Sequence, residues 1–458
     1  MVGGVGVPKG SWVSTVEASR FDEATAYVTF DRHTFGDMKP YLYKTADYGK
    51  TWKALPVQDS GVRGYAHVIK EDTVKPNVLF IGTEFGLWIS IDGGERWAQY
   101  KGSNFPSVAV RDIVVHPRAS DLVLATHGRG IWIIDDISPL RSLTPELMSQ
   151  TATFIPSRPA VEYIEANGGW PEGDETFVGP SRPNEALITY YQKARHIYGD
   201  LKIEVFDQQG KLLDTLSGSK HRGINRAMWP MRLSPPIVPP AASAAFGAAE
   251  GPKVVPAPYT VKMTKGDQSY TTQLNVVSDP RAKYTVEDRK AQFDLAMKLY
   301  GMLSHMSWVV DAIVEVRDEA NQRAAKIPTS DALHSKLNSL AASSDQLRAK
   351  IVATKEGGAI TGEERLREYV TNVYGDVNSY DGRPTDAQIA RTDALGRELE
   401  DVIKEFQKLT ADQLPGINAA LGKQKLSPIQ VIPEAEWQTK HAPGGQTQAA
   451  GKPTWERD

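Results

Sequence analysis

Hydrolysis of a polysaccharide needs two carboxyl groups that face one sugar from opposite sides, and tight ligand capture needs a cation held where it can grip. Eight side chains of this sequence fall in connections rather than at apolar strand positions: Arg20, Asp22, Asp31, His33, Asp37, Glu84, His127 and Arg129. None of them stands at a spacing that a particular reaction demands. Asp31 and Glu84 are the carboxylates that could serve as catalytic groups. His127 and Arg129, in THGRG, are ligand-binding candidates together with Glu84, because the flanking glycines permit close approach and an arginine can grip a carboxylate through two bonds. The competing role for Arg129 is structural, a pairing with Asp135, Asp136 or a neighbouring sheet.

Other chemistries are poorly served. The chain has no cysteine and nine histidines, which leaves nothing for thiol chemistry and little for a zinc site. Asp135-Asp136 is a lone acidic pair without the ligand spacing of a cation loop, so no metal is expected. No glycine-rich phosphate cradle follows a strand and opens a helix, and no cofactor is expected. The net charge of −3 gives no basic surplus for nucleic acid. No apolar run is long enough for a transmembrane segment. The opening MVGGVGVPKG lacks the pattern of a signal peptide and reads as a linker.

The elements that must position these side chains are organised by a repeat. VLFIGTEFGLWISIDGGERW, residues 78–97, reads strand, turn, strand, turn. A box of Thr45, Asp47, Gly49, Thr51 and Trp52 recurs 45 residues later as Ser90, Asp92, Gly94, Arg96 and Trp97. A third copy is degenerate: ATHGRGIWIIDD aligns with IGTEFGLWISID at an offset of 44, but no glycine or closing tryptophan follows Asp136. A period near 45 with short strands predicts propeller blades. In each box the aspartate accepts from amides of its own turn, the glycine takes a backbone conformation other residues avoid, and the tryptophan packs between sheets. Asp47, Gly49, Trp52, Asp92, Gly94 and Trp97 are therefore assigned architectural roles.

These boxes resemble the Asp-box, or bacterial-neuraminidase, repeats shared by sialidases, sortilin-like receptors and some endoglucanases. SWVSTVEASRFDEATAYVTFDRH, KPYLYKTADYGKTW and ATHGRGIWIIDDISPL look like the C-terminal half of large bacterial sortilin-like or glycosyl-hydrolase-like repeat proteins. The resemblance extends to about Ile429. It implies an exported protein, periplasmic or extracellular, with further blades and a secretion signal ahead of the stretch seen here.

The expected organisation is a multidomain chain: a partial β-propeller of about three blades over residues 1–138, a linker over 139–183, an Ig-like β-sandwich over 184–280, a helical bundle over 285–430 and a flexible tail over 431–458. The run NGGWPEGDETFVGPSRP, residues 167–183, is a loop by composition. Hairpins around DQQG and Gly266 supply the sandwich strands, and GINRAMWPMRL resembles Ig-like domains appended to secreted bacterial proteins. The Pro/Ala-rich insertion 234–258 has no periodicity and is expected as a surface loop. Phe293, Met297, Tyr300, Leu303, Met306, Val310, Ile313 and Val316 mark a helix of about 40 residues. Further helices are expected from Leu333 to Ile351, from Leu366 to Tyr374 with Gly375 as the stop, and from Thr385 onward.

Function reads most simply as a non-catalytic binding or scaffold module that recognises protein, peptide or glycan through propeller loops. The alternative is a glycoside hydrolase of the Asp-box type, active when the propeller is complete. Three blades would leave sheet faces open, so remaining blades or a second chain are the expected partners, covering Val13, Val16 and Tyr27 at the N-terminal edge.

Overall fold

A computed structural model describes residues 6–102, 104–164, 184–243, 245–357 and 362–441. The loop expected over 167–183 lies outside them. The chain forms a partial propeller, a two-sheet sandwich and a bundle of long helices.

Blade 1 is an antiparallel sheet of β1 (Trp12–Ala18), β2 (Ala26–Arg32), β3 (Asp37–Thr45) and β4 (Lys53–Ala54). Blade 2 repeats it with β5 (Ala66–Glu71), β6 (Leu79–Thr83), β7 (Gly86–Ser90) and β8 (Ala98–Gln99). Blade 3 has β9 (Val110–Val115), β10 (Leu122–Thr126) and β11 (Ile131–Ile134) and, among the described residues, no fourth strand. Tyr27 and Leu42 of blade 1 pack with Ala66, Ile69, Ile81 and Trp88 of blade 2, so Tyr27 is buried between blades rather than facing outward. Val68, Phe80 and Leu87 on the other face of blade 2 pack with Val110, Ile113 and Leu124 of blade 3. Val13 and Val16 are 41% and 63% exposed, and their edge carries no further sheet in this structure.

The box turns account for the shape of each blade. Asp47 accepts from the Thr45 hydroxyl at 2.9 Å, the Thr51 amide at 2.8 Å and the Thr51 hydroxyl at 2.6 Å. Those bonds, from Thr51 above all, hold its carboxyl down at about 2. Asp92 accepts from Ser90 at 2.9 Å and from the Arg96 amide at 3.0 Å. Trp52 and Trp97 donate their indole N–H back to the carbonyls of Gly49 and Gly94 at 3.1 and 3.0 Å. Gly94 has φ +96, and a Cβ there would lie 2.8 Å from Leu55 of blade 1. The turn therefore favours glycine, and a side chain there would also have to displace the tip of Leu55. At Asp136 the third box fails: the chain enters α1 (Ser138–Ser142) instead of turning back. Arg141 of α1 reaches the fully buried Asp72 at 2.8 Å and ties this exit to blade 2.

After α2 (Pro145–Ser149) come β12 (Ala152–Phe154), β13 (Ala160–Glu162), β14 (Ala186–Gln192), β15 (Leu201–Phe206), β16 (Leu212–Ser217), β17 (Gly223–Trp229), β18 (Pro258–Lys265) and β19 (Gln268–Ser278). They form sheets of order β12-β14-β17 and β13-β19-β18-β15-β16, with β13 parallel to β19. Alternating residues of both sheets meet around the fully buried Trp229.

The bundle holds α3 (Val286–Ala324), α4 (Ala332–Ile351), α5 (Leu366–Asn378), α6 (Asp386–Lys423) and α7 (Glu434–His441). Capping boxes at Thr285 and Thr385 start the two long helices. On α3 the buried stripe runs Leu295, Leu299, Leu303, Met306, Val310, Ile313 and Val316; Phe293 and Met297 are only half-buried. Gly375 does not stop α5, which continues to Asn378. Its role is contact: a Cβ on Gly375 would lie 2.8 Å from the Cα of Gly247, and one on Gly247 would lie 2.2 Å from the Thr371 carbonyl. Gly247 belongs to the Pro/Ala-rich insertion, which is a strap across the bundle rather than a free surface loop. Ala242 donates to the Ala353 carbonyl, and the Ile237 and Glu250 carbonyls accept from Ser307 and Tyr374. In the expected tail, α7 buries Trp437, which donates to Asp311 at 2.7 Å.

At the joint between sandwich and bundle, Glu162 of β13 is 4% exposed and neither of its oxygens has a hydrogen-bond partner among the described residues. Arg289 of α3 stands 3.6 Å away, while Asp381 takes Lys253 of the strap at 3.1 Å and Arg289 at 3.8 Å. Burial pushes the Glu162 carboxyl up to about 7; Arg289 opposes that shift and Asp381 adds to it.

Candidate functional site

The turns β2–β3, β6–β7 and β10–β11 and the starts of β5 and β9 lie at one end of the blades. There, side chains from all three sheets meet. Asp31, at the end of β2, accepts from the backbone N–H of His33 and contacts its ring Nδ1, both at 2.8 Å. The His33 ring stacks on Tyr65 at 4.7 Å between centroids, and Tyr65 meets His67 edge-on at 4.6 Å. His67 Nε2 lies 3.0 Å from Glu84, and its Nδ1 lies 3.2 Å from a guanidinium nitrogen of Arg111 on β9.

Arg111 can only donate, so His67 Nδ1 accepts and Nε2 carries the proton given to Glu84. The His67 ring is buried, and burial holds it below its ordinary value, which keeps it neutral at neutral pH; Glu84 opposes that shift and Arg111 adds to it. For Glu84, partial burial works upward but hydrogen bonds from Tyr65 and His67 outweigh it, leaving the carboxyl below its usual range. Tyr65 and His67 thus occupy part of its acceptor capacity, while 30% of its side chain stays open to solvent. Arg111 and His33 remain half-exposed, with 43% and 46% of their side chains open to solvent. The free capacity of the site is therefore the remaining guanidinium N–H groups, His33 Nε2 and the open part of the Glu84 carboxylate. The exposed Phe85 ring follows Glu84 in the same turn.

Asp31 and Glu84 thus belong to one cluster. His127 and Arg129 occupy the β10–β11 turn at the same end; both are exposed, and neither side chain makes a hydrogen bond or ion pair among the described residues. The His127 amide donates to the Ala109 carbonyl at 2.9 Å, which sets this turn beside the strand carrying Arg111. Arg226 of the sandwich donates to the backbone carbonyls of Asp135 and Asp136, just beyond this turn. Asp47, Gly49, Trp52, Asp92, Gly94 and Trp97 lie in the box turns described above. Tyr65, His67 and Arg111 were not among the sequence candidates. His67 and Arg111 sit inside apolar strands, AHVIKE and VRDIVV, where a polar residue carries no mark of its partner.

Elsewhere, a groove of about 690 Å³ runs between α3 and α6, with Met302 and Leu399 among its lining and Lys298 bridged to Asp393. Among the described residues no set of three His, Asp or Glu side chains could hold a metal ion, and no helix is long and apolar enough to cross a membrane.

No protein-family profile matches the chain, and no curated protein matches it. Among solved structures it has distant likeness to PorZ of Porphyromonas gingivalis, a bacterial surface component of the type-IX secretion system, at 14% identity and TM-score 0.22 over 59% of this chain. It has similar likeness to an ancestral GH74 enzyme, at 10% identity and TM-score 0.22 over 58% of this chain. YCF48 from Cyanidioschyzon merolae aligns at 11% identity and TM-score 0.21 over 60% of this chain and 87% of its own. The chain spans 31% of the length of PorZ and of the GH74 enzyme. Likeness this distant carries no functional argument.

Proposed function

We propose that this chain is a non-catalytic binding or scaffold module of an exported bacterial protein of the Asp-box, sortilin-like type, acting in the periplasm or outside the cell. Its ligand is a protein, peptide or glycan held at the loop end of the blades by Arg111, Glu84 and His33, with His127 and Arg129 at the rim. One observation carries the reading: three separate sheets deliver side chains to a single polar cluster, while its Arg and His keep free hydrogen-bonding capacity. Further blades complete the propeller around it. The functional units follow the divisions 1–138, 184–280 and 285–430, except that β12 and β13 of the segment 139–183 join the sandwich sheets and α7 of the segment 431–458 packs on the bundle.

Glu84 argues against a general acid, because its neighbours favour the ionised form. The second reading, a glycoside hydrolase, draws on Asp31 and Glu84 sharing one cluster, with one of them acting beside a carboxylate from a further blade. Glycan and peptide arrays probed with the intact protein decide between the two. The expected result is retention of a ligand that R111A weakens by about tenfold or more, the loss of one charged contact. Turnover of a glycan abolished by Glu84→Gln would establish the hydrolase instead, and an absence of both binding and turnover would reject both readings.

A further inference from the structure

Blades 1 and 2 finish alike. After the box, Lys53–Ala54 returns to pair with Tyr43 and Lys44, and Ala98–Gln99 returns to pair with Trp88 and Ile89. At the offset of 44, those last two positions become Trp132 and Ile133 of β11. Among the described residues blade 3 has no returning strand: its sheet order is β11-β10-β9, and the chain departs through α1 after the incomplete box at Asp136. The outer edge of β11 is therefore a sheet edge.

The polarity of that edge follows from blade 2. Tyr100 donates its amide to the Leu87 carbonyl at 2.9 Å, so Leu87 and, two residues on, Ile89 aim their main-chain groups outward. Their counterparts are Ile131 and Ile133. Thr126 bonds the Gly130 carbonyl on the other side, which agrees with that alternation. The side chains of Ile131 and Ile133 are 74% and 59% exposed, and Val114 of β9 is 52% exposed. In blade 2 the equivalent Leu87 is fully buried in the cluster shared with blade 3. One edge thus combines outward main-chain groups with the apolar face that, one blade earlier, receives the next sheet.

We propose that the outer edge of β11 is a strand-addition site. Its occupant is an extended segment of a partner polypeptide that pairs antiparallel with Ile131–Ile134 as the fourth strand of blade 3 and leads into a sheet stacked on Ile131 and Ile133. The proposal deepens the reading that further blades complete the propeller, and it rests on that reading. Main-chain pairing supplies the affinity, and the alternation of the isoleucines sets the register. Self-pairing of two β11 edges would extend the sheet sideways and leave the isoleucine face uncovered, so a second copy is a poorer fit than a partner blade.

The probe is a synthetic peptide of the chain's own fourth-strand segment from blade 2, ERWAQYK, residues 95–101, added to the intact protein at millimolar concentration. Residue-resolved hydrogen exchange should slow about tenfold at the Ile131 and Ile133 amides and stay unchanged at Trp132, whose amide faces β10. I133P, which removes an outward amide, and I133K, which keeps it but places charge on the edge, should each abolish the slowing; R111A should not. Persistence of the slowing in both Ile133 variants, or no slowing at all, would overturn the proposal. Concentration-dependent dimerisation abolished by I133K would give the edge to a second copy and overturn it as well. An intact peptide effect with array binding that R111A leaves unchanged would fail the loop-end site alone, and array binding weakened by R111A with no peptide effect would fail this edge alone.

Discussion

Glu162→Gln should remove a pH dependence from the stability of the joint between sandwich and bundle. The folded protein keeps the proton on Glu162 until about pH 7, whereas the ordinary value is 4.5. Between those two values the folded state binds the proton and the unfolded state releases it, so stability falls as pH rises through the window. The neutral-form stability is fully present below pH 4.5 and is lost by the time the pH passes 7. At about 1.4 kcal/mol per pH unit, the loss across the window is about 3 kcal/mol. Gln keeps the shape and cannot ionise. E162Q should therefore show no such slope and should exceed the wild type by up to about 3 kcal/mol at pH 8, with little difference at pH 4.5. Urea unfolding at half-unit pH steps measures this, and hydrogen exchange in β13 and the first turns of α3 assigns it to the joint. Equal slopes in wild type and E162Q would refute the argument, because they would mean that Arg289 at 3.6 Å already offsets the cost of burying the charge.

Arg141→Ala leaves the fully buried Asp72 without its cation and should cost about 3 kcal/mol, read as a lower urea midpoint for the tryptophan signal of blades 1–3. Asp92→Ala removes the acceptor for Ser90 and the Arg96 amide and should cost about 2 kcal/mol, with faster exchange at the Arg96 amide as its local sign. Gly247→Ala forces a Cβ against the Thr371 carbonyl, so the strap must shift from α5; an expected cost of about 2 kcal/mol and increased protease cleavage within 234–258 would check it.

Local chemistry was legible in the chain, and relations between distant segments were not. The box spacing, the heptad-like stripes and the turn glycines predicted blades, sandwich and bundle, because each depends on residues within a few positions of one another. Gly375 shows the limit: alone it reads as a helix stop, yet α5 runs through it and the glycine admits Gly247 from 128 residues away in sequence. The insertion 234–258 has no period of its own because its hydrogen bonds go to distant groups, among them Ser307 of α3, Tyr374 of α5 and Ala353 just after α4. Glu84 could be named from its position in a connection; Asp31, expected in one, is instead a paired residue at the end of β2, where the strand runs into its turn. That they share one cluster, and that His67 and Arg111 saturate one side of it, depends on how three sheets stack. The value near 7 at Glu162 likewise comes from burial beside Arg289 and Asp381, groups brought from other elements. A side chain's type is written in the sequence, but its dielectric surroundings and partners are set by chain segments far away, and only the tertiary structure decides them.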